Sequence, residues 1–359
     1  MSFAVVGEGD FGATNATIQA AWAKGVAPLP IMDCTGGAYF LRSTSQRLVA
    51  VFKPSDEEPF AVHAPKAAPT AVGPMRPGVP VGEMALRECV AYFADVDGFA
   101  RVPRTVLVDA QHKGFHSDGP KRGSCQMYVA HDCSADDIGA ALFPRDDVHA
   151  IALLDLRLVN QDRHAGNLLV QRREGNRLVP IDHGCTLPEY DAMGEAQFAW
   201  LFWPQSRQPL SAAAKAYVTR LNASKQLEAW QRAYPEVVFP AKAALTLYLG
   251  TVFVQTCVAT GLTVHEMGLL VVRDDLSAPS QLERLVDATS RTLSGRDPTA
   301  HCSEFLGIFD RLLKKALRRC FPTYFSKTGA RRSQYSMSPP PSVSTHRKAS
   351  MKVLLSTAA

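Results

Sequence analysis

The sequence lacks the paired cysteines that mark zinc sites and disulfide frameworks. Its eight cysteines are scattered over 359 residues with no Cys-x-x-Cys pair, so neither kind of site is indicated. The first residues also lack the basic segment and the long apolar stretch of a signal peptide. We therefore expect a reducing, cytoplasmic environment for this chain.

Long apolar runs are scarce as well. The span 243–264 carries no charge and is long enough to cross a bilayer, but threonines, a glutamine and two glycines interrupt it. We expect it to form a buried helix. A second apolar segment, 304–319, has large hydrophobic residues on one helical face and basic residues on the other. That helix would either pack against the rest of the protein or lie on an anionic membrane.

Excess charge is confined to the carboxyl end of the sequence. The chain has 39 Lys and Arg against 34 Asp and Glu, and residues 326–359 contain six of the basic residues and no acidic one. This end is rich in Ser and Pro, so we expect a basic, disordered tail. With the 304–319 helix it could make a weak peripheral contact with anionic membranes. The near-neutral remainder predicts no nucleic-acid partner.

The most informative polar residues surround a short predicted hairpin. Two apolar runs, Leu168 to Val170 and Leu178 to Ile181, flank Glu174-Gly175-Asn176, which is typical of a β-hairpin with a glycine in its turn. A turn centred on Glu174 and Gly175 would place Asn167 opposite Asp182 at the open end, with cross-strand partners about 5 Å apart. We therefore predict that the Asn167 and Asp182 side chains meet.

Asp162 lies five residues before Asn167, in the loop that enters this open end. Carboxylate and amide oxygens suit Mg²⁺, which fills its shell with substrate phosphates, so Asn167 and Asp182 are candidate metal ligands. Protein kinases use the same order of a catalytic Asp, an Asn five residues later and an Asp before Gly. Here the loop reads Asp162-Arg163-His164, and we take these three as candidate catalytic residues.

A glycine pair upstream provides a candidate phosphate loop. Thr35-Gly36-Gly37-Ala38 opens a predicted hairpin whose second strand ends at Lys53. Glycines let backbone N–H groups approach phosphates, and the lysine could reach back over them. Glu88, on a predicted helix, is our candidate partner for Lys53. Three other glutamates stay open for that role: Glu57, Glu58 and Glu83.

Together these stretches resemble the type II phosphatidylinositol 4-kinases, most closely the gamma type of plants. The resemblance extends over roughly residues 16–292 and rests on six motifs in order. They are Gly36-Gly-Ala-Tyr-Phe40, Val51-Phe-Lys-Pro-Ser-Asp-Glu-Glu-Pro-Phe60, Val129-Ala-His-Asp132, Asp162-Arg-His-Ala-Gly-Asn-Leu-Leu-Val170, Val179-Pro-Ile-Asp-His-Gly184 and Leu201-Phe-Trp-Pro-Gln205.

The resemblance implies an α+β, two-lobed fold like that of the protein kinases. The lobes would be a mainly β lobe at 1–130 and a mainly helical lobe at 131–325, followed by the tail at 326–359. ATP and Mg²⁺ would be the cofactors. The implied ATP-binding residues are Thr35, Gly36, Gly37, Ala38, Lys53 and Asp182, together with a hinge at Gln126, Met127, Tyr128 and Val129 whose backbone would contact adenine.

The implied reaction is ATP-dependent phosphorylation of phosphatidylinositol at the inositol 4-hydroxyl. A protein Ser/Thr kinase on the same fold is the main alternative, because nothing in the nucleotide site separates the two acceptors. A nucleotide-binding scaffold without catalysis is a third possibility. Trp200 and Trp203, in the segment after His183, are candidates for lipid contact, although aromatic residues of this kind are more often part of a core.

Overall fold

The computed structural model describes residues 1–7, 11–66 and 73–326 of the chain. One compact unit extends from Met1 to Cys320, and a second begins at Phe321. In the second unit the described residues form one 3₁₀ turn, Pro322–Phe325. Except for Ser326, the predicted basic tail lies outside the described residues, so its disorder stays a prediction, as do the lobe boundaries at 130 and 325.

The first part of the chain forms a six-stranded antiparallel sheet with two helices. The strands lie in the order β1-β5-β6-β4-β3-β2. Their bounds are β1 Ser2–Val5, β2 Leu29–Pro30, β3 Tyr39–Arg42, β4 Leu48–Pro54, β5 Thr105–Gln111 and β6 Lys121–Met127, and the helices are α1 Gly12–Ala23 and α2 Met84–Ala94.

The two faces of this sheet are buried in different hydrophobic cores. Val106 and Val108 of β5 belong to the cluster that contains Trp22 of α1. Leu107, between them, belongs to the cluster that contains Cys89 of α2. Successive side chains of a strand point to opposite faces, so α1 and α2 cover opposite sides of the sheet, and β4 delivers Lys53 from between them.

The following part of the chain is mainly helical, with one small sheet. The sheet has the order β7-β8-β9, with bounds β7 Cys133–Ser134, β8 Leu168–Gln171 and β9 Arg177–Pro180. The helices are α3 Arg145–Leu158, α4 Ala212–Arg220, α5 Ala223–Ala233, α6 Ala241–Thr260, α7 Val264–Val271, α8 Gln281–Thr292 and α9 Cys302–Cys320. The α+β class predicted from the sequence is confirmed.

Helix α6 is the central helix of this part. Among the described residues it is the one helix long and apolar enough to cross a membrane by length and composition, but 61% of its most apolar stretch is buried inside the protein. A Cβ on Gly250 would lie 1.9 Å from the Arg157 carbonyl oxygen of α3, so the two helices approach closely there. We conclude that α6 is packed as a core helix, as its interrupting polar residues predict.

Helix α9 also packs against the protein. Its apolar residues, including Phe305, Phe309 and Leu313, are buried, and α9 contacts α6 and α8. Its basic side chains are exposed: Arg311, Lys314, Lys315, Arg318 and Arg319. The apolar face of α9 therefore packs against the rest of the protein, which was the first of the two predicted alternatives. The basic face is exposed.

The predicted hairpin is present, but the predicted register was wrong by one residue. Val170 pairs with Leu178 and Leu168 with Pro180, so Asn167 lies opposite Ile181, whose N–H donates to the Asn167 carbonyl over 3.0 Å. The reason is a longer turn, in which a 3₁₀ segment is followed by two residues with positive φ, Gly175 and Asn176. A slip of one residue would normally turn Asp182 to the other face. Its own φ of 56° redirects the chain, and its carboxylate still reaches the cleft.

Candidate active site

A cleft of about 360 Å³ lies between the six-stranded sheet and the loop that precedes β8. Both halves of the predicted site contribute to it. Among the residues predicted or kept as alternatives from the sequence, those that line the cleft are Thr35, Gly36, Gly37, Ala38, Lys53, Glu58, Glu88, Asp162, His164, Asn167 and Asp182. The fold therefore brings together residues separated by almost 150 positions in the chain.

The glycine pair is seated on the segment that follows β4. A Cβ on Gly37 would lie 2.1 Å from Glu57 Oε2, and one on Gly36 would lie 2.8 Å from Pro59, so no larger residue fits without displacing its neighbours. The Gly37 N–H donates to the Glu57 carbonyl over 2.7 Å. In this conformation that N–H is not available to a phosphate, so the loop's main contribution is close approach of its backbone.

A buried polar network that sequence reasoning missed supports this loop. Glu57 is fully buried and accepts hydrogen bonds from the Tyr39 hydroxyl, while the Lys121 Nζ lies 2.8 Å from its Oε1 and 2.8 Å from Asp56 Oδ2. Burial and the Glu57 carboxylate raise the pKa of Tyr39, which keeps its hydroxyl a donor. The sequence signal for this network was the alternation along β6, which places Lys121 on the same face of the strand as the buried Cys125.

Lys53 contacts two carboxylates in the cleft. Its Nζ lies 2.6 Å from Glu88 Oε1 and 3.0 Å from Asp182 Oδ1. Burial by itself lowers the pKa of Lys53, but the two carboxylates outweigh it and the pKa is raised. The same ammonium lowers the pKa of Asp182 against the effect of burial. Lys53 is therefore held charged, and Asp182 ionised, at neutral pH.

The structure distinguishes Glu88 from the other three candidate partners of Lys53. Each of those has a different contact: Glu57 pairs with Lys121, Glu83 with Arg87, and Glu58 accepts the N–H groups of Gly82 and Ala85. Glu88 also accepts the His183 N–H through its second oxygen. It therefore ties Lys53 to the segment that carries Asp182.

The three candidate catalytic residues are not equivalent. Asp162 and His164 line the cleft, whereas Arg163 is fully buried below the loop. Its guanidinium contacts Asp155 at 3.1 Å and donates to the carbonyls of Asn167 and Ile181. The prediction of a catalytic role for Arg163 is therefore corrected to a positioning role, because its guanidinium binds Asp155 and the backbone that leads into β8 and out of β9.

Trp200 binds the same buried carboxylate as Arg163, that of Asp155. Its side chain is fully buried, and its indole N–H donates to Asp155 Oδ2 over 2.9 Å. A residue in this position cannot meet a lipid. The more common role considered for these aromatics, as part of a core, holds for Trp200.

Asn167 and Asp182, the predicted oxygen donors for a divalent cation, both line the cleft. The Asn167 Nδ2 donates to the Asp162 carbonyl over 3.0 Å, which fixes the amide beside the catalytic loop. No group of three His, Cys, Asp or Glu side chains suited to a metal occurs among the described residues. An Asn and Asp pair that leaves coordination positions for phosphates is nevertheless the kind of site Mg²⁺ uses, so these residues fit the ion.

The predicted hinge is not part of the cleft lining. The N–H groups of Met127 and Tyr128 donate to the carbonyls of Arg104 and Val49, and the Gln126 side chain donates to Thr105. These bonds lie where the neighbouring strands β4, β5 and β6 begin or end, and they leave no free N–H at Met127 or Tyr128 for adenine. The adenine contact of Gln126 to Val129 stays a prediction.

Sequence reasoning also missed Arg76. Its Nη2 lies 2.6 Å from Asp162 Oδ1, across 86 residues of sequence. The sequence around it is rich in Pro and Gly, which is typical of an irregular loop and does not indicate a functional residue. The only local signal was a single cation between such residues, in Pro74-Met75-Arg76-Pro77-Gly78.

Comparisons with known proteins agree with the motifs. Residues 35–265 match the family model described as phosphatidylinositol 3- and 4-kinase. Phosphatidylinositol 4-kinase gamma 4 of Arabidopsis thaliana is 38% identical over 308 residues, which cover 80% of this chain and 54% of the relative. For gamma 3 of Arabidopsis thaliana the identity is 37% over 289 residues (73% and 50%), and for gamma 4 of Oryza sativa it is 37% over 279 residues (74% and 48%).

The matched region contains the whole cleft apart from Asp33 and Cys34 at its edge. The match confirms the predicted resemblance and the kinase-like, two-lobed fold. The chain spans about half the length of the curated relatives it matches.

Proposed function

Because this chain belongs to the phosphatidylinositol 3- and 4-kinase family, we propose that it transfers the γ-phosphoryl group of ATP to the 4-hydroxyl of phosphatidylinositol. The observation that carries the proposal is the convergence of Lys53, Asp162, Asn167 and Asp182 on one cleft. The lipid acceptor is taken from the names of the relatives, which are phosphatidylinositol 4-kinases.

Each of these residues has a definite task in that reaction. Lys53, oriented by Glu88, binds the nucleotide phosphates, and Asp162 orients the acceptor hydroxyl and takes its proton. Asn167 and Asp182 would hold Mg²⁺, and the bound ion would supply positive charge that neutralises the phosphates. Most of the rate gain in such a site comes from positioning and from charge stabilisation.

The direct test is to incubate the purified protein with labelled ATP and phosphatidylinositol vesicles, or with a basic protein as acceptor. We expect labelled phosphatidylinositol 4-phosphate, and a loss of about 10²- to 10⁴-fold in Asp162→Asn. Asp109→Asn is the matched control, because Asp109 forms an exposed pair with Arg122 on β5. Label on the protein alone would favour a protein kinase. Undiminished transfer by Asp162→Asn would contradict the site assignment.

We also propose that the protein is cytoplasmic and makes a weak electrostatic contact with anionic membranes. Two features support the membrane contact: the exposed basic face of α9 and the six basic residues of 326–359. Since the apolar face of α9 is buried, the contact would be charge-based, worth about 1 kcal/mol per basic residue near the surface. Binding to phosphatidylserine vesicles should weaken steeply from low to high salt. Binding that is insensitive to salt would contradict this contact.

A further inference from the structure

A strap, residues 73–82, connects the region after β4 to the start of α2 and crosses to the other half of the protein. Its Gly78 carbonyl accepts the Glu189 N–H over 2.7 Å, and Pro77 lies so near Gly194 that a Cβ there would be 2.8 Å away. At its end, the Gly82 N–H donates to Glu58 over 2.7 Å. The strap is therefore fixed on the segment that follows Asp182.

These contacts set Arg76 of the strap beside the catalytic loop. Its Nη2 lies 2.6 Å from Asp162 Oδ1 and 3.4 Å from the Gln197 Oε1. The Arg76 side chain is 27% exposed and that of Asp162 15%. Within the described residues, the Asp162 carboxylate accepts from Arg76 through Oδ1 alone. The other oxygen is therefore left to accept a hydroxyl proton.

The catalytic loop itself supplies no cation to this place. Arg163 is buried and turned toward Asp155, and the residues from His164 to Asn167 carry no permanent charge. In the described part of the chain, Lys53 is the one Lys or Arg that lines the cleft, and it is held by Glu88 and Asp182. Arg76 is not part of this lining, but its neighbour Met75 and its partner Asp162 both are. A positive charge beside Asp162 therefore comes from outside the loop, from Arg76.

Phosphoryl transfer places demands on that position. The proton of the acceptor hydroxyl passes to Asp162, the acceptor oxygen forms a bond to the γ-phosphorus, and the bond from the γ-phosphorus to the β-γ bridging oxygen breaks to release ADP. The reacting oxygen is hydrogen-bonded to Asp162 during this step. A guanidinium in contact with Asp162 Oδ1 is one side chain away from the reacting oxygen. In other phosphoryl-transfer enzymes an arginine in such a place stabilises the negative charge on the equatorial oxygens of the transferred group.

We propose that Arg76 is a catalytic residue that stabilises the transferred phosphoryl group and is held in place by Asp162. The inference rests on the proposed phosphoryl transfer, but not on the identity of the acceptor. A guanidinium has five N–H donors, so Nη2 can keep its contact with Asp162 while other donors bind the phosphoryl oxygens. Lysine, a point charge on a flexible stem, would replace only part of this function.

The kinetic test compares Arg76→Ala and Arg76→Lys with wild type, with Arg296→Ala as the control. Arg296 is an exposed arginine whose partner, Glu304, does not line the cleft, whereas Asp162, the partner of Arg76, does. We expect kcat to fall about 10²- to 10³-fold in Arg76→Ala, with KM for ATP changed less than about threefold and partial recovery in Arg76→Lys. Unchanged or increased turnover in Arg76→Ala would overturn the proposal, the increase because it would identify Arg76 as a block on Asp162.

A binding measurement tests Arg76 without any turnover. Calorimetry would compare the affinity for MgADP with that for MgADP plus aluminium fluoride, a planar mimic of the transferred group. We expect wild type to bind the fluoride complex more tightly than MgADP, and Arg76→Ala to lose that gain while binding MgATP normally. A gain that persists in Arg76→Ala, or is absent from wild type, would overturn the proposal. Failure to form phosphatidylinositol 4-phosphate would instead count against the lipid acceptor alone.

Discussion

At the scale of single residues, the contacts of Lys53 decide what its loss would do. Its ammonium is the partner of Glu88, whose side chain is only 4% exposed, and of Asp182. Burial raises the pKa of Glu88, so that carboxylate depends on the lysine to remain ionised. The pair therefore contributes to the fold as well as to nucleotide binding.

We predict that Lys53→Met lowers the free energy of unfolding by about 2–3 kcal/mol, below the 3–5 kcal/mol typical of a fully buried pair, because Lys53 is 30% exposed. Adding Glu88→Gln should recover most of the stability but no ATP turnover. Urea unfolding and ATP turnover of the single and double variants would measure both effects. Lys314→Met, which removes an exposed pair with Asp310, should stay within about 1 kcal/mol of wild type. A fully stable Lys53→Met would contradict the dependence of Glu88 on its partner.

At the scale of elements, the loop before β3 is shaped by the segment after β4. Gly37 packs directly on Glu57, which is held by Tyr39 and Lys121. The two hairpin strands were anticipated because they alternate and are joined by a polar turn. The network of Glu57, Tyr39 and Lys121 below the loop was not predicted, because Lys121 is far away in the sequence and its partner depends on how β6 lies in the sheet.

We predict that Gly37→Ala weakens ATP binding about tenfold and lowers the free energy of unfolding by about 1–3 kcal/mol. The physical reason is the 2.1 Å approach of an added Cβ to Glu57 Oε2, which would displace the buried network and move the loop. Nucleotide titration and urea unfolding would measure the two effects. Gly139→Ala is the matched control, since no heavy atom lies within 4 Å of its added Cβ. Equal ATP affinity in both variants would show that the loop does not depend on this packing.

At the scale of the whole molecule, two buried carboxyl groups link stability to pH. Burial raises the pKa of Glu58 to about 7 and that of Asp95 to about 6, although backbone N–H groups partly oppose it. A carboxyl whose pKa is higher in the folded state binds its proton more tightly there. The stabilising contribution of such a carboxyl is therefore complete at pH values below its pKa in the unfolded chain. It is lost as the pH rises through its pKa in the folded protein.

We predict that ionisation of Glu58 lowers the free energy of unfolding by up to about 3 kcal/mol as the pH rises from 4.5 to 8. Glu58→Gln should remove this part of the pH dependence. Urea unfolding at pH 5 and pH 8 would show it as a smaller difference between the two pH values in the variant. Asp109→Asn, at an exposed position, should keep the wild-type difference. Identical pH profiles for wild type and Glu58→Gln would mean that Glu58 titrates normally.

By itself, the sequence determined the order of the motifs and the residues at the centre of the cleft, because glycine pairs, strand alternation and the Asp162-to-Asn167 spacing are local properties. The α+β class followed from the resemblance of those motifs to a known family. Only the tertiary structure decided that Glu88 contacts Lys53, that Asn167 lies opposite Ile181, and that Arg163 faces away from the cleft. It also decided that Arg76 reaches Asp162. These are contacts between distant segments, and they depend on how each loop packs against a neighbour that no local pattern identifies.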